Sequence, residues 1–246
     1  MKPIEPLQAE IRREYKYFDL VMVLFVTVLI VSNIASSAKI VDWGITLFNR
    51  LPLSFDAGTL LFPISYIFGD ILTEVYGYKR SRRVIWAGFS MLALTSLFFA
   101  LVRIMPGESG WQQNAGQGAY DQILGGISSG GIVFASLGAF FAGEFSNSYV
   151  LAKMKLLTRG RWLWMRTIGS TLVGEAVDSL IFVSIATLTG VFSPAIFWSL
   201  TISNYLFKVF IEIIMTPATY WIVAQLKKRE HEDYYDWHTN FNPFSK

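Results

Sequence analysis

Residues 167–188 read TIGSTLVGEAVDSLIFVSIATL. The stretch is longer than the about 20 apolar residues that a helix needs to cross a bilayer. Its only charged residues are Glu175 and Asp178, and a charge near the bilayer centre costs about 3 kcal/mol on insertion scales. Thr171, Glu175, Asp178 and Phe182 recur at i, i+4, i+7 and i+11, which places them on one helix face. The stretch therefore predicts a membrane helix whose polar stripe faces the inside of a bundle.

Five further stretches are long and apolar enough to cross a bilayer. The six predicted spans are 18–38, 57–76, 84–104, 127–152, 167–188 and 196–226. The chain is 53% hydrophobic and only 16% charged, whereas soluble domains carry about 25% charge. We therefore predict an all-α integral membrane protein, with an N-terminal tail at 1–17, a six-helix domain at 18–226 and a C-terminal tail at 227–246.

Lysine and arginine lie almost entirely on one side of this topology. Of the 21 basic residues, 17 fall in the two tails and in the connections 79–83 and 153–166. The positive-inside rule then predicts that both termini are cytosolic. The same distribution explains the net charge of +3, so no nucleic-acid partner is expected.

Three carboxyl groups on three predicted helices share one depth. Asp70 and Glu144 each precede a basic residue by nine positions, and Glu175 follows one by nine. At 1.5 Å per residue each lies roughly 13 Å from the cytosolic boundary, near the midplane of a core about 30 Å thick. The candidate substrate-binding residues are Asn33, Asp70, Glu74, Glu144, Asn147, Glu175, Asp178, Phe182, Asn204, Lys208 and Glu212.

Several of these residues allow a second interpretation. Lys208 and Glu212 are four residues apart and could pair within their own helix. Glu74 is five residues before Lys79 and could simply reach the interface. Asn33 could bond across helices instead of to a ligand.

Two glycine-rich patterns concern packing and connections. Gly131, Ala135, Ala139 and Gly143 recur every four residues, which predicts a close helix–helix packing face. The segment 105–131 carries eight glycines and is predicted to be a flexible outer loop, either an ordinary connection or a cover over the pocket.

The charge inside the predicted spans indicates the kind of ligand. Five acidic residues face one lysine there, so the site suits a cation or a neutral molecule rich in hydrogen-bond donors. The chain has no cysteine, and both histidines follow the last predicted span. Neither a thiolate nor a histidine metal site is therefore expected, and we predict no cofactor.

Several blocks, in order along nearly the whole chain, resemble the queuosine-precursor transporters of the vitamin uptake transporter (VUT) family. The blocks are FGDILTEVYGY at 68–78, GEFSN at 143–147, RTIGST at 166–171 with EAVDS at 175–179, Asn204…Lys208…Glu212…Pro217, and TNFNPF at 239–244.

The resemblance implies six membrane helices in the inner membrane of a bacterial cell, similar to the substrate-binding components of energy-coupling-factor importers. It also implies a 7-deazaguanine cargo: preQ0, preQ1 or queuine. A carboxylate can accept the N1–H and the exocyclic amine of such a base together. We assign this role to Glu175 or Glu144, with Asp178 or Asp70 near the 7-substituent. Lys208 or Asn204 would then donate to O6, and Phe182 would stack on the ring.

Other functions remain open at this stage. Buried carboxyl groups also suit a membrane-embedded acid–base enzyme, a channel, or a transporter of another small cation or vitamin-like solute. We expect no enzymatic activity, because histidine and cysteine are missing from the spans and the chain has no phosphate-binding glycine-rich loop. The energy source, an energy-coupling partner and a homodimer stay undecided.

Overall fold

The computed structural model describes residues 15–47, 51–128 and 130–245. Eight α-helices run along this part of the chain, with a β-hairpin after the first. The helices are α1 Phe18–Ala38, α2 Phe62–Tyr76, α3 Tyr78–Ile104, α4 Ser109–Asn114, α5 Gly116–Ser128, α6 Gly130–Thr158, α7 Leu163–Leu188 and α8 Phe197–Glu230.

Five helical segments are long and apolar enough to cross a membrane, which confirms the predicted helical membrane protein. They correspond to α1, α3, α5 together with α6, α7, and α8 with the short turn before it. Helices α3 and α7 begin six and four residues before the predicted spans, and α8 continues to Glu230. The predicted second span, 57–76, forms the 3₁₀ turn Ala57–Leu60 and then the 15-residue helix α2.

Helix α2 is the most deeply buried helix of the bundle. Its apolar side chains Ile67, Ile71, Leu72 and Val75 belong to the main hydrophobic core. A helix that is buried on nearly every side contacts other helices and not lipid. The charged residues of α2 therefore contact protein groups. The sharp turn into α3 is made at Gly77, whose φ of 85° favours glycine.

Both ends of the described chain meet at one end of the bundle. The Tyr17 N–H donates to Glu230 Oε1 at 2.6 Å, and the Tyr15 hydroxyl donates to Glu232 Oε2 at 2.7 Å. We call this the terminal end, and the end where α1 stops and α8 starts the cavity end. Five of the basic residues counted for the topology prediction lie outside the described residues: Lys2, Arg12, Arg13, Arg50 and Lys246.

The small-residue stripe of α6 packs against α7, as the spacing predicts. A Cβ added at Gly131 would lie 2.8 Å from Thr189 Oγ1, and one at Gly143 would lie 2.8 Å from Asp178 Cβ. Opposite them, a Cβ at Gly174 would lie 2.7 Å from Asn147 Cβ. The two helices therefore approach closely enough to exclude side chains at these positions.

The prediction of a flexible loop over 105–131 is wrong, because most of this segment is helical. Glu108 accepts the Trp111 N–H at 2.9 Å and caps α4. Backbone hydrogen bonds to the carboxylate, first from Gly110 and then from Trp111, hold the pKa of Glu108 below its ordinary value. The Ser37 hydroxyl donates to the Ile123 carbonyl at 2.9 Å, which ties α5 to the end of α1. Packing over the cavity end thus compensates for the low helix propensity of glycine.

The β-hairpin after α1 had no counterpart in the sequence prediction. Strands β1 Ile40–Leu47 and β2 Leu51–Asp56 pair antiparallel, with Ile40 opposite Asp56 and Leu47 opposite Leu51. The register shifts between Asp42 and Thr46, around Gly44 at a φ of 64°. A glycine in this conformation at a register shift is typical of a β-bulge.

Residues 231–245 fold back onto the terminal end of the bundle. The Asp236 carboxylate accepts the Tyr78 N–H at 3.1 and 3.2 Å and so caps the start of α3. Arg82 donates to the Asn240 carbonyl at 3.0 Å and to the Asn242 carbonyl at 2.7 Å. The tail therefore completes hydrogen bonds of α3 that the helix itself leaves open.

Candidate functional site

A cavity of about 540 Å³ enters the bundle from the cavity end. Helices α1, α3, α5, α6, α7 and α8 all contribute to its wall. Five of the predicted site residues line it: Asn33, Asp178, Phe182, Asn204 and Lys208. Its volume lies within the range of about 300–1,000 Å³ that small-molecule sites occupy.

An ion-paired triad lies at the charged side of this cavity: Asp178 and Lys208 line the wall, and Glu175 lies behind them. Lys208 Nζ lies 2.5 Å from Asp178 Oδ2 and 2.9 Å from Glu175 Oε2. The lysine is therefore paired across helices α7 and α8, and not with Glu212 of its own helix. Two carboxyl groups around one ammonium give the triad a formal charge of −1 when all three are ionised. Such a triad favours a ligand that brings positive charge or hydrogen-bond donors.

Aromatic rings flank the triad. Lys208 Nζ lies 5.1 Å from the centre of the Phe62 ring, which stabilises the ammonium by a cation–π interaction. The Phe182 and Phe192 rings pack edge to face at 6.0 Å, and both line the cavity. A flat ring bound in the cavity could therefore stack on the Phe182 side chain.

Hydroxyl and amide groups lie among the apolar residues of the remaining wall. The predicted residue Asn33 donates to the Leu29 carbonyl of its own helix at 2.8 Å. Sequence reasoning missed several polar residues of the wall: Ser36, Ser37, Ser96, Gln122, Ser136 and Ser179. Ser36 and Ser37 could have been predicted as wall residues, because they follow Asn33 by about one helical turn. Residue Gln122, in contrast, lies in the segment expected to be a loop.

The segment 105–131 does contribute to the cavity, as the alternative of a cover anticipated. Gln122, Gly126 and Ile127 of α5 are part of the wall. A Cβ at Gly126 would lie 2.7 Å from Ser37 Oγ, so α5 rests directly on the end of α1. A larger residue at Gly126 would separate these two helices.

Four predicted residues lie deeper, outside the cavity wall. Asn147 Nδ2 donates to Asp70 Oδ1 at 2.7 Å, which joins α6 to α2. Glu144 is 0% exposed and Glu212 is 1% exposed. Among the described residues, none hydrogen-bonds either oxygen of Glu144 or of Glu212. The structure thus places a second polar layer directly beneath the triad.

Glu74 lies at the terminal end, within a cluster of ion pairs. Its Oε1 is 2.7 Å from Arg166 Nη2 and 2.6 Å from Lys227 Nζ. Lys155 and Lys227 also pair with Asp233 of the tail, at 2.6 and 2.8 Å. These pairs close the end of the bundle that lies opposite the cavity.

The Asp233 carboxyl titrates below the usual range. Burial acts to raise its pKa, but hydrogen bonds from Lys155 and Lys227 outweigh burial and hold the pKa below its ordinary value. The ionised form of Asp233 is therefore the form that ties the tail to the helices.

The sequence pattern of the family described as "Putative vitamin uptake transporter" matches residues 56–222. The chain belongs to this family. The match spans α2 to α8 and so includes the triad and the layer beneath it. The tail contacts at 231–245 lie beyond the matched residues. No solved structure matches the chain.

Three relatives of the chain carry closely related names. A "Probable queuosine precursor transporter" of Bacillus subtilis is 29% identical over 68% of this chain and 71% of its own length. A "Probable queuosine precursor transporter" of Haemophilus influenzae is 25% identical over 70% of each chain. The "Queuosine precursor transporter" of Escherichia coli is 23% identical over 69% of this chain and 72% of its own length.

Proposed function

We propose that this chain imports queuosine precursors, and that the cavity above the Asp178–Lys208–Glu175 triad holds the 7-deazaguanine base. The observation that carries the proposal is the joint presence, in one cavity wall, of a buried carboxylate, an ammonium and an aromatic ring. A guanine-like base offers the matching set: a donor pair on one edge, an acceptor at O6 and a flat ring. The names of the three relatives support the same cargo.

Asp178 is the carboxylate that we assign to the donor edge of the base. It is the acidic residue of the predicted set that lines the cavity, whereas Glu144 and Asp70 lie beneath the wall. A carboxylate that accepts two parallel N–H bonds gives strong, oriented binding in a dry pocket. Lys208 or Asn204 then donates to O6, and Phe182 packs on the ring.

The proposed topology has six membrane spans with both termini in the cytosol. Helix α2 rises about 22 Å at 1.5 Å per residue, and the 3₁₀ turn before it adds about 8 Å, so residues 57–76 measure about 30 Å together. The hydrogen bond between Tyr17 and Glu230 supports an even number of crossings, because it joins the start of α1 to the end of α8. The basic connections 79–83 and 153–166 favour a cytosolic terminal end, and the cavity would then open outward.

The first experiment measures queuosine in tRNA from bacterial cells that lack their own precursor synthesis and transporter. The cells receive limiting preQ0, preQ1 or queuine and express this protein, the Asp178→Asn variant or the Phe182→Ala variant. Wild-type protein should restore queuosine with at least one base, and both variants should lower the restoration at least tenfold. Trp198→Ala is the matched control for Phe182→Ala, because Trp198 is 66% exposed on the outer face of the bundle.

Failure of restoration with all three bases, at normal membrane expression, would refute the cargo. Equal restoration by the two cavity variants and the Trp198→Ala control would refute the binding site and leave the cargo in place.

A further inference from the structure

A line of buried polar groups continues from the cavity wall into the apolar core. Glu144 is its first member below the triad. It lies against α2 at Gly69, where an added Cβ would be 2.8 Å from Glu144 Oε2. Both Glu144 oxygens lack a hydrogen-bond partner among the described residues. Glycine at position 69 therefore makes room for a carboxyl group that no described donor satisfies.

The line continues from Glu144 toward the terminal end. Asn147, one helical turn further along α6, holds Asp70 Oδ1 at 2.7 Å, while Asp70 Oδ2 has no described partner. Asp70 also interacts electrostatically with Glu212 of α8, and then with Glu144 and Glu74. Polar groups on α2 and α6 thus alternate along one path through the bundle.

Three hydroxyl groups extend the path beyond Asp70. The Thr73 hydroxyl lies 2.9 Å from Ser81 Oγ and 3.1 Å from Ser148 Oγ, and the two serine oxygens are 3.2 Å apart. Each hydroxyl can accept one hydrogen bond while it donates another. Glu74, the next residue after Thr73, belongs to the ion-pair cluster that borders the tail.

The charged and titratable groups that act on Glu144 lie on α2, α7 and α8. Helices α3 and α5 also pack against α6, but their charged residues are bonded elsewhere: Arg82 to the tail, and Asp121 to Arg103 at 2.8 Å. The groups nearest to Glu144 are Tyr66 and Asp70 of α2, Glu175 and Asp178 of α7, and Lys208 of α8. Lys208 is already shared by two carboxylates, so Glu144 has no cation of its own among these groups.

A carboxyl group in this position changes its charge by binding or releasing a proton. The neutral form avoids the cost of about 3 kcal/mol that insertion scales give for a charge at the bilayer centre. Intramembrane acidic residues of this kind mark proton relays in pumps and transporters. The large majority of buried side-chain polar atoms in folded proteins have at least one hydrogen-bond partner, so a buried carboxyl group without one needs an explanation.

We propose that Glu144 and Asp70 form a proton relay that couples import to an inward proton gradient. This inference rests on the proposed function. A proton from the outer medium enters through the cavity and forms an O–H bond on the Glu144 carboxylate. Glu144 and Asp70 are not in direct hydrogen-bond contact, so the proton passes to Asp70 through an intervening water, and the Glu144 O–H bond breaks as the Asp70 O–H bond forms. Asp70 then releases the proton in the same way toward the hydroxyl groups of Thr73, Ser81 and Ser148 and the cytosol, and both carboxylates are restored. One proton crosses with each base, and the base itself is unchanged.

Coupling arises at the triad, since Asp178 serves both events. A base that donates to Asp178 alters the pairing of Lys208, whose charge also acts on Glu144. Binding therefore changes the electrostatic field at the first relay carboxyl without direct contact between base and relay.

The test uses the full-length protein in proteoliposomes with labelled preQ0, preQ1 or queuine. Two transport modes are compared: accumulation driven by a pH gradient of one unit, alkaline inside, and counterflow exchange at equal pH. A one-to-one symport of a neutral base gives up to about tenfold accumulation per pH unit, because one unit equals about 1.4 kcal/mol. Wild-type protein should reach several-fold accumulation, and a protonophore should abolish it.

The deciding variant is Glu144→Gln, which keeps the shape of the side chain and removes the titrating group. It should retain counterflow within about threefold of wild type yet fail to accumulate the base above the outside concentration. Glu144→Asp should recover part of the accumulation. Asp121→Asn, which alters a surface ion pair away from the path, is the matched control and should accumulate like wild type.

Two results would overturn the relay while import itself stands. The first is gradient-driven accumulation by Glu144→Gln equal to that of wild type. The second is a wild-type protein that catalyses counterflow but does not accumulate the base when a pH gradient is applied. The absence of wild-type counterflow with all three bases would instead refute the proposed function, and the relay with it.

Discussion

Replacing Lys208 by methionine tests the triad most directly. Methionine keeps the length and apolar stem of lysine but removes the ammonium that lies 2.5 Å from Asp178 and 2.9 Å from Glu175. Removing one partner of a buried ion pair costs about 3–5 kcal/mol, because the remaining charge is left uncompensated. Since about 1.4 kcal/mol is a factor of ten, the ratio of folded to unfolded protein should fall by roughly a hundredfold to a few thousandfold.

The assay is reversible unfolding in mixed micelles, followed by tryptophan fluorescence. Lys39→Met is the matched control, because Lys39 is an exposed residue of the cavity wall, and surface changes usually stay within about 0.5 kcal/mol. Adding Asp178→Asn to Lys208→Met should recover part of the loss, since one of the two orphaned charges disappears. The reasoning is refuted if Lys208→Met unfolds within 1 kcal/mol of the Lys39→Met control.

The remaining predictions concern the tail and the helix packing. Because its pKa is lowered in the folded protein, Asp233 stabilises the tail above its unfolded pKa of about 3.9, and this contribution is lost as the pH falls through the folded value. Limited proteolysis of the tail should therefore accelerate at acidic pH in wild type, and Asp233→Asn should be cleaved faster at neutral pH with less change on acidification. Arg82→Ala removes two hydrogen bonds to tail carbonyls and should speed the same cleavage at every pH, and unchanged cleavage would contradict both tail predictions. Gly143→Ala should destabilise the bundle by about 1–3 kcal/mol through overpacking, whereas Gly118→Ala, with nothing within 4 Å of the added Cβ, should be neutral or slightly stabilising. Equal midpoints for these two variants in the unfolding assay would contradict the close approach of α6 and α7.

The helices were predictable because membrane insertion depends on local hydrophobicity over about 20 residues. The boundaries were less so: α3 starts at Tyr78 and not at 84, because a helix can continue through basic residues outside the apolar core. The segment 105–131 misled the prediction for a related reason. Its glycines disfavour helix in isolation, but contacts such as Ser37 with Ile123 are made only in the folded bundle.

The candidate site divides in the same way. Helical periodicity placed Glu175, Asp178 and Phe182 on one face, and their position in the structure agrees with that stripe. The choice of Lys208 partner was undecided because sequence spacing describes contacts within a helix, whereas the observed pairs join α8 to α7. The residues that form the cavity wall depend on which helices pack against each other, and the hydrophobic pattern of a single sequence does not specify that packing.

The tail contacts have a consequence for how the chain is assembled in the membrane. Asp236 caps the first turn of α3 although it is synthesised 158 residues later than Tyr78. During synthesis the Tyr78 N–H therefore lacks its hydrogen bond to Asp236 until α8 has been made. Only a chain in which α8 exits on the same side as the start of α3 can bring Asp236 to this position. In a chain with α8 inverted, Asp236 would lie on the opposite side of the membrane from Tyr78, and the first turn of α3 would lack this cap.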